Sequence, residues 1–334
     1  MKKSIICFLL AFLILFQTTF AEFEIHFLDV GQGDSSIIVC DGEAMMIDGG
    51  NPENSDLVFS YLRNTLNIST LKYLIATHAH DDHIGGLPAA LNACSVDFVF
   101  SPYESYDSDR FNEFKKYVEA QNIKISVPIP GNSILLGSAN VEFLSPTRDY
   151  ENINDTSIVV RIVYGDTSFL FTGDAGAEAE KDMLQSGFVL DSDFYKVAHH
   201  GSDTSNSVDF IDAISPKYAV ISVGKNNQYN HPESSVLFSL ANAGTAVLRT
   251  DDVGSIVCAS DGQEIYFYNG HSFKGIESQQ SETLKEYVGN QNSKKFHDSA
   301  CDSVSSMKEK NKVFLNTRDE YIAAGYEPCK RCNP

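Results

Sequence analysis

Basic residues are scarce in this chain: 25 Lys and Arg stand against 45 Asp and Glu, a net charge of −20 over 334 residues. That shortage excludes a body that holds nucleic acid by charge alone, because counterion release rewards clustered Lys and Arg. Long apolar runs are missing as well. The run from Ile5 to Phe16 falls short of the roughly 20 residues a spanning helix needs, and no later stretch approaches that length. With Met1-Lys2-Lys3 before it and Thr18-Thr19-Phe20-Ala21 after it, this run has the pattern of a secretory signal cut after Ala21. An uncleaved anchor is the alternative; both place the body outside the cytoplasm, secreted or in the cell envelope, with no integral membrane domain once the signal is cut.

The phosphate-binding loop of nucleotide enzymes is absent too. Gly31-Gln32-Gly33-Asp34 lacks the Gly-Lys-Ser/Thr ending such a loop requires, so it reads as a tight turn between strands, with Asp34 close to a functional site. Of the seven cysteines, Cys7 leaves with the signal. Cys40, Cys94 and Cys258 sit in apolar runs, where cysteine is usually a small buried hydrophobe, while Cys301, Cys329 and Cys332 cluster near the end.

What is present divides into two modules. Residues 284–334 carry about +2 and the remainder about −22. A chain with 43% hydrophobic residues can bury one large core beside a small accessory one. The polar stretch Ser278 to Ser281 reads as a linker, so the expected division is a signal at 1–21, a large domain at 22–280 and a tail at 284–334.

Within the large domain, Glu24 to Leu28, Ser36 to Cys40 and Ala44 to Ile47 read as a strand meander ending at Asp48-Gly49-Gly50. Asp56 to Asn64 has helical periodicity, Leu71 to Ala76 is a strand, and Asp82 to Asn92 begins a new helix behind Gly85-Gly86. Ser157 to Tyr164 and Ser168 to Thr172 flank the hairpin turn Gly165-Asp166. Glu178 to Gln185 is helical, and strands at Asp193 to Ala198 and Tyr218 to Val223 lead to His199-His200 and toward His231. Two β-rich halves with interspersed helices suggest an α+β fold of four layers, αββα.

Nine histidines occur in the chain, and three of them fall in His78-Ala79-His80-Asp81-Asp82-His83 at a strand end. Imidazoles and a carboxylate converging from one loop suit a divalent ion, and adjacent Asp82 and His83 can face a second ion beside it.

The pattern resembles the metallo-β-lactamase superfamily, whose His-x-His-x-Asp-His signature is matched by His78, His80, Asp82 and His83. The resemblance implies that fold, the strand-end aspartate Asp48, a metal-bridging aspartate at Asp174, and a last metal histidine at the later strand end. Of His199-His200, His200 is the expected ligand, and His199 is either a phosphate contact or a structural neighbour. His231, before Pro232, is either on the substrate side or structural. His26 and His271 read as structural. No histidine lies between His83 and His199, so the superfamily's usual third ligand of the first metal is missing. Asn154 or water would replace it, and the oxygen-richer site makes manganese as plausible as zinc.

Phe27 through Asp34, Asn154-Asp155-Thr156-Ser157, Ala198-His199-His200-Gly201-Ser202, Gly224-Lys225-Asn226-Asn227 and His231-Pro232 are similar to the subgroup typified by the metallo-β-lactamase domain of the competence protein ComEC. The likeness runs from about residue 23 to 275 and includes no channel domain, so transport is not implied. Two ions can share a hydroxide and neutralise charge on a phosphoester under attack. Asp82 would orient that hydroxide, and His199 or His231 would stabilise or protonate the leaving oxygen. The expected function is therefore an exported nuclease or phosphodiesterase acting on a phosphoester, DNA included. The alternatives are a phosphorylcholine-type esterase on surface polymers and a non-catalytic zinc-stabilised binding protein, the last opposed by retention of the whole ligand set.

In the tail, His297-x3-Cys301 and Cys329-x2-Cys332 form two short-spaced pairs able to meet on one structural zinc; a Cys329 to Cys332 disulfide is the alternative. From Tyr287-Val288-Gly289-Asn290 through Ala323-Ala324-Gly325-Tyr326 to Pro328-Cys329-Lys330-Arg331-Cys332, it resembles the metal-binding domain of the Ada repair protein. That family has a methyl-accepting cysteine where this chain has His297, so methyl transfer does not carry over. Lys294, Lys295, Lys330 and Arg331 would be available for phosphates, or are ordinary solvated surface.

Overall fold

The computed structural model describes residues 23–269, 272–273, 287–299, 301–315 and 318–332. The expected signal at 1–21, the boundary near 280 and His271 lie outside them. Strands β1 (Phe23–Phe27), β2 (Ser35–Cys40), β3 (Glu43–Gly49), β4 (Thr70–Ile75), β5 (Ser95–Phe100) and β6 (Ile125–Ser126) follow one another across a first sheet. A second sheet takes up β7 (Ser133–Leu136), β8 (Ala139–Ser145), β9 (Val159–Tyr164), β10 (Thr167–Phe171), β11 (Phe194–Lys196), β12 (Tyr218–Ile221) and β13 (Ala246–Arg249). The chain then returns to the first sheet, where β14 (Ile256–Ser260) pairs with β1 and is followed by β15 (Ile265–Asn269) and β16 (Ser272–Phe273).

Strand alternation explains the layering, because successive side chains leave opposite faces. Ile25, Phe27, Met45 and Ile47 enter one core with Phe143, Val160, Phe169 and Phe194 of the second sheet, and that core lies between the sheets. Their neighbours Leu28, Ala44 and Met46 face outward, under helices α1 (Ser55–Ser60), α2 (Asp81–Ile84), α3 (Leu87–Ala93) and α4 (Asp109–Ala120). On the far side, Leu170, Tyr195 and Ala219 pack under α5 (Ala177–Ser186), α6 (Val208–Ile214) and α7 (Ser234–Asn242). The result is the αββα sandwich. Each buried phenylalanine of the central layer stabilises it by roughly 1.5–3 kcal/mol.

The chain departs from the sequence reading at two helices. Asp82 to Asn92 is not one continuous helix: α2 and α3 are separated by Gly85-Gly86, where Pro52 and the backbone of Gly49 come too close for any side chain. The expected helix over 56–64 is α-helical only to Ser60, then widens into a π turn over Tyr61–Thr65.

Strands β3, β4 and β5 run parallel to one another, as do β10, β11, β12 and β13. Their carboxyl ends share one edge of the sandwich. The tail has its own small sheet of β17 (Tyr287–Asn290), β18 (Lys295–Asp298), β19 (Lys312–Val313) and β20 (Glu327–Pro328). Phe296, Tyr321 and Tyr326 pack beneath it.

Candidate metal centre

The parallel strands deliver every candidate ligand of the large domain to that edge. Asp48 ends β3, the loop after β4 carries His78 to His83, Asp174 follows β10, and His199 and His200 follow β11. His78, His83, Asp48, Asp174 and His200 are buried, His80 and Asp82 half-buried.

Hydrogen bonds decide which ring nitrogen faces the centre. The Asp48 carboxylate accepts the Thr77 N–H at 2.8 Å and its hydroxyl at 2.6 Å, and also the His83 Nδ1–H at 2.8 Å. Thr77 Oγ1 in turn lies 3.1 Å from His78 Nδ1 and accepts its proton. His200 Nδ1–H donates to the carbonyl of Ser222 at 2.9 Å. All three rings therefore turn Nε2 inward, the arrangement that metal-binding histidines adopt when their other nitrogen is held.

Two donor sets result. His78 Nε2 lies 3.0 Å from His80 Nδ1 and 3.8 Å from Asp174 Oδ2, and these three residues form one group. Asp82, His83 and His200 form the other: His200 Nε2 is 3.3 Å from Asp82 Oδ2, and His83 Nε2 is 3.2 Å from Asp174 Oδ1. Asp174 touches both sets. Apart from that contact with each other, buried His83 Nε2 and Asp174 Oδ1 have no hydrogen-bond partner among the described residues, although polar atoms this deep are normally satisfied. Ring nitrogens and carboxylate oxygens converging in two adjoining groups fit two divalent cations.

The electrostatics point the same way. Burial opposes charge on His200, but Asp174, Asp34 and Asp82 overcome it and push its pKa up to about 10. His83 stands well above the ordinary range despite its burial, held there by Asp174, Asp48 and Asp82. His78 and His80, more exposed to burial than to carboxylates, fall below it. The centre thus carries more carboxylate charge than its surroundings balance, and it favours cations.

Asp34 lies beside the centre, and its partner was invisible in the sequence. Its Oδ2 pairs with the buried ammonium of Lys196 at 2.9 Å and its Oδ1 is 3.3 Å from His200 Nδ1. Burial raises its pKa, yet Lys196 and His200 bring it down to about 2. Gly33 brings this loop against Asp82: its φ of 153° favours glycine, and a side chain would strike the Asp82 backbone oxygen.

His199 and His200 both adopt left-handed backbone, φ 50° and 54°, which aims their side chains in different directions. His199 is the more exposed, with Nε2 3.7 Å from Asp174 Oδ2 and 3.4 Å from Asn154 Nδ2. Asn154 Oδ1 is buried with no hydrogen-bond partner among the described residues. His231 sits edge-on to His199, ring centres 5.6 Å apart, and burial first, then the two neighbouring histidines, lower its pKa to about 4. His26 is remote, bonded to Tyr61 at 3.2 Å.

The left-handed turn is held by a clamp that sequence reasoning missed. Asn206 accepts from the Tyr195 hydroxyl at 2.8 Å and the Ala198 N–H at 3.2 Å, and donates to the carbonyls of Ala198 and Ser202 at 3.0 Å each. Buried Glu180 on α5 accepts the N–H groups of Asn206 and Ser207. Only the left-handed preference of asparagine hinted at this role.

In the tail, His297, Cys301, Cys329 and Cys332 converge so that their ligand atoms lie within 4.8 Å of one another. The three cysteines are free thiols, not a disulfide. Cys329 is held below the ordinary thiol range by backbone N–H groups of Cys332 and, after the opposing effect of burial, Arg331. This favours a thiolate at Cys329, whereas burial first, and then Cys301 and Cys329, push Cys332 up to about 11. One histidine and three cysteines suit a closed, tetrahedral structural site.

Comparison with known proteins adds two families. The model described as Metallo-beta-lactamase superfamily matches residues 28–225, and the one described as Metal binding domain of Ada matches residues 278–334. The chain is 29% identical over 271 residues to ComE operon protein 3 of Bacillus subtilis, covering 76% of this chain and 35% of that protein. It is 29% identical over 231 residues to Competence protein ComA of Neisseria gonorrhoeae, covering 68% of this chain and 31% of that one. It spans about a third of the length of these curated relatives. Among solved structures, the metallo-beta-lactamase fold protein YhfI from Bacillus subtilis is similar at a TM-score of 0.49 and 13% identity, over 71% of this chain and 100% of that one.

Proposed function

The chain belongs to the metallo-beta-lactamase superfamily of metal-dependent hydrolases, and from that membership and its donor sets we propose an exported phosphodiesterase, a nuclease acting on DNA. The observation that carries this reading is the pair of adjoining donor groups that Asp174 touches, at 3.8 Å from His78 Nε2 and 3.2 Å from buried His83 Nε2. Two ions bound there would supply an activated water and neutralise phosphoryl charge.

The chain's own residues do the rest. His78 and His80 would hold one ion with Asp174, and Asp82, His83 and His200 would hold the other. Asp82 accepts from the attacking water, and the half-exposed His199 donates to a phosphoryl oxygen. His231, kept neutral by burial and its histidine neighbours, hydrogen-bonds the departing oxygen. The likeness to competence proteins supports DNA as substrate, and the N-terminal pattern supports export; no helix among the described residues is long and apolar enough to cross a membrane. The tail binds one zinc as a structural staple for its small core.

The test is hydrolysis of single- and double-stranded DNA, bis-p-nitrophenyl phosphate and p-nitrophenylphosphorylcholine with manganese or zinc, by the wild type and by Asp82→Ala and His80→Ala. DNA cleavage lost in both variants is expected. Cleavage of the choline ester alone would move the substrate to surface polymers, and turnover of no phosphoester would refute the proposal.

A further inference from the structure

A cleft of about 620 Å³ opens beside the metal centre, walled by the loop after β12 and the end of β13. Lys225, His231 and Arg249 line it together with the carboxylates Asp251 and Asp252. Lys225 is exposed and has no ion-pair partner among the described residues, whereas Arg249 is neutralised by Asp251 through contacts of 2.9 and 2.6 Å.

On the same loop, Tyr229 leaves 54% of its surface in solvent. Its ring lies 27° from parallel to His231 with centres 5.6 Å apart, and His231 is edge-on to His199, which reaches Asp174. Three rings thus lead from the carboxylate shared by both donor sets out to solvent. The loop is also built to hold them there. Asn227 Oδ1 accepts the N–H groups of Tyr229 and His231, and its Nδ2 donates to the carbonyls of Gly224 and His231. Asn226 and Asn230 take the left-handed backbone that the tight loop demands.

We propose that residues 225–231 form the subsite for a nucleotide flanking the scissile phosphodiester, with a base stacked on Tyr229 and a neighbouring phosphate paired with Lys225. This rests on the phosphodiesterase reading and narrows its substrate to single-stranded nucleic acid. An exposed aromatic face accepts any unpaired base, while a duplex hides its bases. A body carrying far more acid than base gains little from a duplex's denser phosphate charge, so stacking must supply affinity. A quaternary ammonium would also favour an aromatic face, but Lys225 on the same loop opposes a cation.

The experiment compares the full, metal-loaded wild type with Tyr229→Ala, Tyr229→Phe and Lys225→Ala on a 20-residue thymidylate and on bis-p-nitrophenyl phosphate. Loss of one stacking contact raises KM for the oligonucleotide roughly 5- to 100-fold in Tyr229→Ala, with kcat little changed and KM for the small ester far less affected. Tyr229→Phe keeps the wild-type KM, and the smaller effect of Lys225→Ala fades as salt is raised. A folded Tyr229→Ala protein with wild-type KM for the oligonucleotide would overturn the subsite while leaving the phosphodiesterase standing. Equal loss of kcat on both substrates would overturn it too, by making the loop merely structural. A wild type that cleaves only p-nitrophenylphosphorylcholine would give the aromatic face to a cation, and one that cleaves no phosphodiester would remove both proposals.

Discussion

Replacing Asp48 by Asn changes one oxygen into an amide at the base of the centre. The backbone tolerates it, since Asp48 has φ 57° and asparagine takes that conformation readily. One Asn oxygen can still accept the Thr77 N–H, now 2.8 Å from Asp48 Oδ1. The amide nitrogen then faces Thr77 Oγ1 and His83 Nδ1, which lie 2.6 and 2.8 Å from Asp48 Oδ2. Thr77 can rotate its hydroxyl, but His83 must give up its Nδ1 proton and carry one on Nε2 instead. That places an N–H where the ring has to offer a lone pair to a metal. Loss of an outer partner of this kind costs about 10- to 100-fold in metal affinity, or about 1.4–2.8 kcal/mol. Folding should change less: the lost charge-assisted bond, roughly 1.5–3 kcal/mol, is offset by no longer burying a charge. The assay is competition for zinc against a chromophoric chelator, in a Cys329→Ser background that silences the tail, with melting of the metal-free protein as control. An Asn variant that binds both ions with wild-type affinity would refute the argument that Asp48 sets the His83 proton.

Three further outcomes follow from the same structure. Asn206→Ala removes four buried hydrogen bonds and should cost roughly 2–4 kcal/mol by denaturant melting, with weaker metal binding at the His200 group than at the His78 group. Cys329→Ser should lower the zinc content by one ion per chain and open the tail to proteolysis, while activity on bis-p-nitrophenyl phosphate persists; unchanged metal content would contradict a tail site. Asp193 is raised by burial but pulled below its ordinary pKa by Lys217 and Ser168. Its folded state therefore binds fewer protons than the unfolded chain, so its contribution is present above about pH 4 and lost as acid protonates it. Asp193→Asn should accordingly be less stable than wild type near pH 7, and the difference should shrink toward pH 2, read by urea melts across that range.

The sandwich and the His78 to His83 donor cluster were legible because their signals are local: alternation of period two along short strands, and donors within six residues of one strand end. Asp174 and Asp48 followed from strand-end position and family likeness. The assignment within His199-His200 depends on two left-handed residues, which spacing does not encode. Lys196 beside Asp34, and Glu180 beneath Asn206, join residues far apart in sequence and met only through the fold. The break at Gly85-Gly86 had a visible cause in the glycines, but its reason, close approach of Pro52 and Gly49, is tertiary.

The central claim is that Asp174 serves two ions whose joint presence gives phosphodiester hydrolysis. Metal-stripped protein in the Cys329→Ser background, titrated with manganese or zinc while cleavage of single-stranded DNA is followed, tests it most directly. Cleavage should rise to saturation at two ions per chain and stay absent in Asp174→Asn. Saturated protein holding two ions and cleaving no phosphodiester, or full cleavage by Asp174→Asn, would contradict it.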